Sequence, residues 1–417
     1  MEVSVLGAAK QVGRSAFLVK GDKTSILLDY GVQLGKTPGF PSHVKPKDVD
    51  GIVLSHAHLD HSGAIPLFFL KNTLPVHATD LTIELSELLI GDFIQLSRFS
   101  LPFEYVELVN MMKNAIGTKI GEQSKIGEFN INFLEAGHIP GSAIARLDNG
   151  KKSVIYTGDF NAEDTNLLKA ASIEWNEPDI IITESTYATA DHPSREDVED
   201  DFITFLKEVV ERGGIALVPA FSVGRAQEMA CILKKKKFPY PVAMDGMALK
   251  TNEILMRYQE HLRDPDLFKK SLGSLEIIRS WGQRKRIAKQ PSVIIAPAGM
   301  LVGGLAVFYN NEIARNTKNA ICIVSFQVPG TPGRTLLEKG ITLINGKPRK
   351  VKAEVRRFNF SSHSGKSKML DIFKKMNGSP KVLTVHGEAA SCIKFSEDLN
   401  ELGFESYAPD IGFKIEV

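Results

Sequence analysis

One short segment, His56-Ala57-His58-Leu59-Asp60-His61, constrains this chain more than any other. It directly follows Gly51-Ile52-Val53-Leu54-Ser55. The apolar run reads as a buried strand, and polar side chains begin abruptly at its end. Three imidazoles and a carboxylate within six residues are costly to bury unless something pairs them. Two histidines flanking a small alanine suit a tight turn that aims both at one cation. Neutral imidazole and carboxylate are good ligands for zinc. Asp60 and His61, next on the same turn, could serve a second ion. A lone H-x-H carries little information. The full H-x-H-x-D-H after a strand points to a two-metal site.

The same arrangement recurs along the first half of the chain. Val3–Leu6, Ser15–Val19 and Thr24–Leu28 read as strands, and Asp29 ends the third. There a carboxylate can brace the free nitrogen of a ligand histidine, or simply make a turn. Residues 62–70 and 80–115 read as helical. The strand Phe129–Leu134 runs into His138 among glycines, Ser153–Tyr156 into Asp159, and Asp179–Thr183 into Glu184. Asp159 could bridge two ions through its two oxygens. Five predicted strands thus end in Asp, His or Glu, and candidate ligands converge at one edge of a sheet-based fold.

From about residue 190 the texture changes. A charged amphipathic helix over 194–212 leads into strands at 213–219, 292–296 and 320–326, with helices at 224–237 and 248–263. This predicts a second α/β domain. Its glycine-rich turns, Gly299–Gly304 and Pro329–Arg334, lack the nucleoside-triphosphate loop signature. Their amides could hold phosphates at helix starts or could merely make tight turns. Val351–Phe360 then leads to His363, and Lys381–Val385 to His386. A strand-end histidine so late means that the chain returns to its first domain. The expected organisation is therefore 1–190, an insertion over 191–350, and a return segment over 351–417. The ends of an insertion should lie close together.

The 417 residues are 43% hydrophobic and 24% charged, a globular balance. No apolar run approaches the about 20 residues that span a bilayer, and the N-terminus lacks the features of a signal peptide. Cys231, Cys322 and Cys392 have no metal-type spacing and read as buried thiols in a reducing, cytoplasmic setting. A net charge of +2 leaves any polyanion to be held by a local patch.

Taken together, these residues resemble the metallo-β-lactamase superfamily in its β-CASP nuclease branch. Asp29, His56–His61, His138 and Asp159 match the superfamily's motifs. Glu184, His363 and His386 match the three further β-CASP motifs. Pro219–Gln227 and Gly299–Gly304 resemble its insert. The resemblance implies an α/β fold, a metallo-β-lactamase αββα sandwich with an inserted α/β β-CASP domain. His386 points to RNA rather than DNA, and Glu184 away from the bacterial ribonuclease J type. The chain looks most like archaeal homologues of the cleavage-and-polyadenylation endonuclease, in a short form without N-terminal KH domains. Ala188 and Ser364-Gly365 depart from the usual motif residues beside the catalytic edge.

The resemblance also implies roles. One Zn2+ takes His56, His58 and His138. A second takes Asp60, His61 and His386. Asp159 bridges them, and Asp29 braces a ligand from behind. Such a pair activates water for in-line attack on a phosphodiester, with Asp60 in the catalytic set. His363 would protonate the leaving ribose oxygen and Glu184 would orient it, giving 5′-phosphate and 3′-hydroxyl ends. The expected partner is single-stranded RNA, in an RNA-processing or decay complex. Family members are often dimers, although no interface signature stands in the sequence. RNA contacts are expected from Trp281, Arg284, Lys285 and Arg286, from Gly303 and Gly304, and from Arg334. The run Lys234–Lys237 reads rather as a solvated helix end. RNA is expected in the cleft between the domains, cut internally, from the 5′ end, or both. Rival readings are a lactam- or thioester-type metallohydrolase, a non-catalytic RNA-processing scaffold and a redox di-iron protein. The long insertion and the Glu184/His363 pair oppose the first, complete ligand positions the second, and His58 in place of an acid the third.

Overall fold

The computed structural model describes residues 1–35, 37–97, 100–328 and 330–417. It divides into two units. Met1–Asp164, Lys169–Asp191 and Ser362–Val417 form the first; Thr165–Leu168 and His192–Ser361 form the second.

Alternating burial builds the first unit. Two seven-stranded sheets lie within it. In one, Phe17–Lys20, Ser25–Leu28, Gly51–Val53 and Val76–Ala78 are successive neighbours. In the other, Lys381–Val385, Ile180–Glu184, Ser153–Tyr156 and Ala143–Asp148 are successive neighbours. A strand sends successive side chains to opposite faces. Val154 and Tyr156 accordingly join Val5, Phe17, Leu28 and Phe133 in a core shared by the two sheets. Ile155 points the other way, into a layer with Met369, Phe373, Phe395 and Leu399 from the helices Lys366–Lys374 and Ala389–Glu401. The outer face of the first sheet packs Leu18, Leu27 and Ile52 against Phe68, Ile90, Leu108 and Met111. The result is four layers, helix, sheet, sheet, helix. Truncating a core aromatic such as Phe133 to alanine would cost about 3–5 kcal/mol.

The second unit is a parallel six-stranded sheet. Its order is Glu276–Ile278, Val242–Asp245, Ser292–Ala296, Ile215–Pro219, Ala320–Ile323, Glu354–Arg357. Central strands such as Ile215–Pro219 and Ser292–Ala296 are buried along their whole length. Helices cover both faces, which is why these strands read as unbroken apolar runs rather than alternating ones. A separate antiparallel hairpin pairs Ile341–Ile344 with Lys347–Lys350.

Several elements differ from expectation. The helix expected over 80–115 is two helices, Asp80–Ser97 and Tyr105–Lys113. Pro102 cannot continue a helix, and a capping box between Glu104 and Glu107 starts the second. Residues 98 and 99 lie outside the described set, as does Pro329 of the second glycine-rich turn. The stretch 62–70 is a short helix, Leu59–Ser62, then a 3-10 turn over Ile65–Phe69 containing Pro66. The returning segment does not begin at 351. Glu354–Arg357 pairs in parallel with Ala320–Ile323, so the second unit keeps it and the chain returns at Ser362. Periodicity could not show this, because a strand's partner is set by register and not by its own composition. Within the first unit the two ends of the excursion meet: the Lys366 amide donates to the Ala190 carbonyl at 3.1 Å.

Candidate metal centre

Strand ends put the reactive side chains together. Asp29 follows Ser25–Leu28, His56 comes soon after Gly51–Val53, and Asp159 soon after Ser153–Tyr156. Glu184 closes Ile180–Glu184, and His386 follows Lys381–Val385. Parallel neighbours in each sheet deliver their C-terminal ends to the same edge. Gly31 permits a close approach at this edge: a Cβ there would stand 1.8 Å from the Asp60 carbonyl oxygen.

Among the described residues the donors form two histidine-rich sets, and a third group, Asp159 with Glu184 and His363, adjoins them. His56 Nε2 and His138 Nε2 lie 3.8 and 3.7 Å from Asp159 Oδ2, and His58 Nδ1 lies 3.2 Å from His138 Nε2. On the other side, His61 Nε2 and His386 Nε2 lie 3.4 and 3.7 Å from Asp159 Oδ1. His386 Nε2 is 3.5 Å from Asp60 Oδ2. Each oxygen of Asp159 therefore faces a different set. Most of these separations are too long for good hydrogen bonds. They match the spacing of ligands about a tetrahedral zinc, about 3.3 Å for bonds of about 2.0–2.1 Å. Moreover, the buried atoms His56 Nε2 and Asp159 Oδ1 have no hydrogen-bond partner among the described residues. Orphaned donors that converge in this way fit cations.

Second partners fix which nitrogen faces inward. His61 Nδ1 donates to Asp29 Oδ2 at 2.6 Å, and His138 Nδ1 to the Ser362 carbonyl at 2.8 Å. His386 Nδ1 bonds Ser15 Oγ at 2.7 Å. Each leaves Nε2 for the centre. Asp29 is itself pinned by the Tyr156 hydroxyl at 2.6 Å and by the Ser55 amide and hydroxyl, both at 2.7 Å. Asp29 and His386 have φ of 53° and 48°, a left-handed conformation that costs non-glycine residues about 1–3 kcal/mol. The backbone bends there to aim a side chain.

Charge follows geometry. Burial pushes His56, His58 and His138 below the ordinary histidine range, and for His56 and His138 neighbouring imidazoles add to it. That direction favours the neutral form that ligation requires. Burial alone would raise Asp159, but His386 and His61 hold it well below the usual carboxylate range. Burial works against His61, yet Asp159 and Asp29 raise it.

His363 stands beside this cluster, its ring centroid 4.5 Å from that of His138. Its Nδ1 donates to Glu184 at 2.9 Å, and Glu184 Oε1 also accepts the Phe160 amide at 2.8 Å. Burial would lower His363, but Glu184 and then Asp159 and Asp60 push it up to about 9. That shift favours the protonated ring in the absence of a bound cation. Ser364, at a departure from the usual motif, accepts the Ala162 amide at 2.9 Å and serves the packing.

Comparison with known proteins gives the family. Residues 9–208 match the metallo-β-lactamase superfamily, 226–336 the Beta-Casp domain, and 348–409 the Zn-dependent metallo-hydrolase RNA specificity domain. RNase aCSPSF2 of Saccharolobus solfataricus is 40% identical over all of this chain and 85% of its own length. This chain belongs to the metallo-β-lactamase superfamily, in its β-CASP ribonuclease branch. Probable RNase MJ4 of Methanocaldococcus jannaschii is 36% identical, with both chains fully covered. The transcription termination factor FttA of the same organism is 32% identical over 96% of this chain and 69% of its own length. A crystallised Enterococcus faecalis protein of unknown function shares the fold, with a TM-score of 0.66 at 14% identity over 99% of each chain. As a member of a metal-dependent hydrolase superfamily, the β-CASP protein carries candidate metal-binding groups in its first unit.

The residues expected to meet RNA lie in the second unit. Trp281 is 58% exposed at the start of the helix Trp281–Ile287. The Arg284 guanidinium lies 4.9 Å from its ring centroid and bonds the buried Asp245 at 2.8 and 2.9 Å. Arg286 pairs with Glu276 and Arg334 with Glu338. Lys285 meets no acidic partner among the described residues. Gly304 opens the helix Gly304–Ile313, where a Cβ would press to 2.8 Å from the Pro297 carbonyl oxygen. Gly303 caps that helix with φ of 152°. In the lysine run, Lys235 bonds Asn166 and Lys236 pairs with Asp200. No described helix is long and apolar enough to cross a membrane.

Sequence reading missed the supports: Ser15, Ser55, Tyr156 and the Ser362 carbonyl. Tyr156 is the last residue of a strand pointing at Asp159, which is a signal that could have found it. The others carry none.

Proposed function

We propose that this β-CASP protein is a zinc-dependent ribonuclease that hydrolyses RNA phosphodiester bonds to 5′-phosphate and 3′-hydroxyl ends, in RNA processing or decay. The carrying observation is the placement of His363, held by Glu184 against the edge of the donor cluster. His56, His58, His138 and Asp159 would hold one Zn2+; Asp60, His61, His386 and Asp159 would hold the second. Bound there, the two ions acidify water and draw charge from the phosphoryl group. His363 protonates the departing ribose O3′. Glu184 keeps that proton available and orients the ring. Asp29, Ser15 and the Ser362 carbonyl hold the ligand imidazoles in the tautomer that leaves Nε2 free. In the second unit, Trp281 stacks an RNA base with Arg284 behind it. Lys285 and Arg286, the amides of Gly303 and Gly304, and Arg334 meet phosphates.

End-labelled RNA carrying a 5′-phosphate or 5′-triphosphate, resolved on a gel, tests this. The expected result is cleavage abolished by a chelator. Internal fragments identify an endonuclease, and 5′-end-dependent mononucleotides identify an exonuclease. Intact RNA together with hydrolysis of nitrocefin or a glutathione thioester would overturn the reading.

A further inference from the structure

Several cations of the basic clusters legible in the sequence are ion-paired in three dimensions. Arg279 pairs with Glu253, Arg284 with Asp245, Arg286 with Glu276, and Lys236 with Asp200. A further set of cations is concentrated on one hairpin. Lys347, Arg349, Lys350 and Lys352 are all exposed, and none meets an acidic partner among the described residues. Three of them lie on the outer strand of the hairpin that pairs Ile341–Ile344 with Lys347–Lys350.

The hairpin is held firmly. Asn345 and Gly346 form its turn with φ of 50° and 73°, the pattern of a tight two-residue connection. The Asn345 amide donates to Asn311 Oδ1 at 3.0 Å, and Asn310 Nδ2 donates to Thr342 Oγ1 at 3.1 Å. Ile344 and Thr342 are buried. They face the same side as their cross-strand partners Lys347 and Arg349, which project beyond the core. Lys350 stands on the opposite face with the exposed Leu343 and Pro348. The hairpin therefore carries cations on both faces. Lysine and proline on an edge strand also block pairing with other chains, but one charge suffices for that. Four cations within six residues, none ion-paired among the described residues, repel one another unless a polyanion covers them.

We infer that this hairpin is an RNA-backbone anchor, a phosphate-binding surface of the second unit centred on Lys347, Arg349 and Lys350. The inference rests on the ribonuclease reading above. Its ligand is the sugar–phosphate chain, recognised without regard to base sequence.

The test is salt-dependent binding of a fluorescein-labelled single-stranded oligoribonucleotide, in a His363→Ala background that preserves the RNA. Each lost phosphate contact should lower the slope of log K against log salt by about 0.7. Lys347→Gln/Arg349→Gln/Lys350→Gln should lower it by about 2 and weaken binding at least tenfold at low salt. Lys350→Gln alone, at an exposed position, should lower it by about 0.7. A control removes three ion-paired surface lysines of the first unit, Lys151, Lys394 and Lys414, and should keep the slope. Equal losses in control and triple variant would overturn the anchor in favour of net charge. An unchanged slope would overturn it too. If the triple variant also loses self-association on gel filtration, the hairpin is a protein contact. Failure of the wild-type protein to cut any RNA sinks the ribonuclease reading instead, and the gel above separates the two failures.

Discussion

At the residue scale, His363 and Asp159 separate the roles most cleanly. His363 lies outside both donor sets, so His363→Ala should leave metal content intact while hydrolysis falls about 10²–10⁴-fold, the worth of a general acid. Full activity in that variant would refute the role. The pH profile carries a sign. His363 is raised to about 9 with Glu184 as the leading charged cause, so it donates below that value, and activity falls as pH rises through it. Adjacent bound cations oppose its charge and bring that limb lower. Glu184→Gln removes the anchoring charge, and the basic limb of kcat/KM should move to lower pH still. A limb that stays put would assign the proton to another group. The reactive residues were legible because the chemistry demands unusual types at strand ends. Their supports were not: Ser15 reaches His386 at 2.7 Å across a separation of 371 residues, and nothing about a serine advertises such a partner.

At the element scale, the helix Trp281–Ile287 combines two roles that substitutions should separate. Trp281→Ala removes an exposed ring and should weaken RNA binding by about 1–3 kcal/mol, the worth of one stacked base, with little change in melting temperature. Arg284→Ala leaves the buried Asp245 carboxylate without its cation, bonded among the described residues only by the Tyr309 hydroxyl and the Gly246 amide, and should cost about 3–5 kcal/mol of stability, read by denaturant titration. If Arg284→Ala leaves stability unchanged and only binding falls, the pairing with Asp245 is not what holds the helix. Helix and strand types were readable from period and propensity. The 80–115 stretch failed because an apolar helical spacing ran on across Pro102. Glu354–Arg357 failed because the strand's own residues do not say which sheet will accept it.

At the scale of the whole molecule, the account depends on segments far apart in the chain closing one centre. Asp29, His61 and His386 meet only because the polypeptide leaves the first unit after Asp191 and re-enters at Ser362. The return was legible from histidines that close late strands, whereas the exact crossing points were not. A centre of buried imidazoles and carboxylates should be less stable without its cations. Chelation should lower the melting temperature, since a ligand at about 100 times its Kd stabilises the native state by about 2.7 kcal/mol. The most direct test of the centre is the zinc content of the purified protein by mass spectrometry, beside that of His386→Ala. Two ions per wild-type chain and about one in the variant are expected, because His56, His58 and His138 remain to hold the first. A wild-type chain that binds no more than traces of metal, or a variant that keeps the full complement, would contradict the shared dinuclear site.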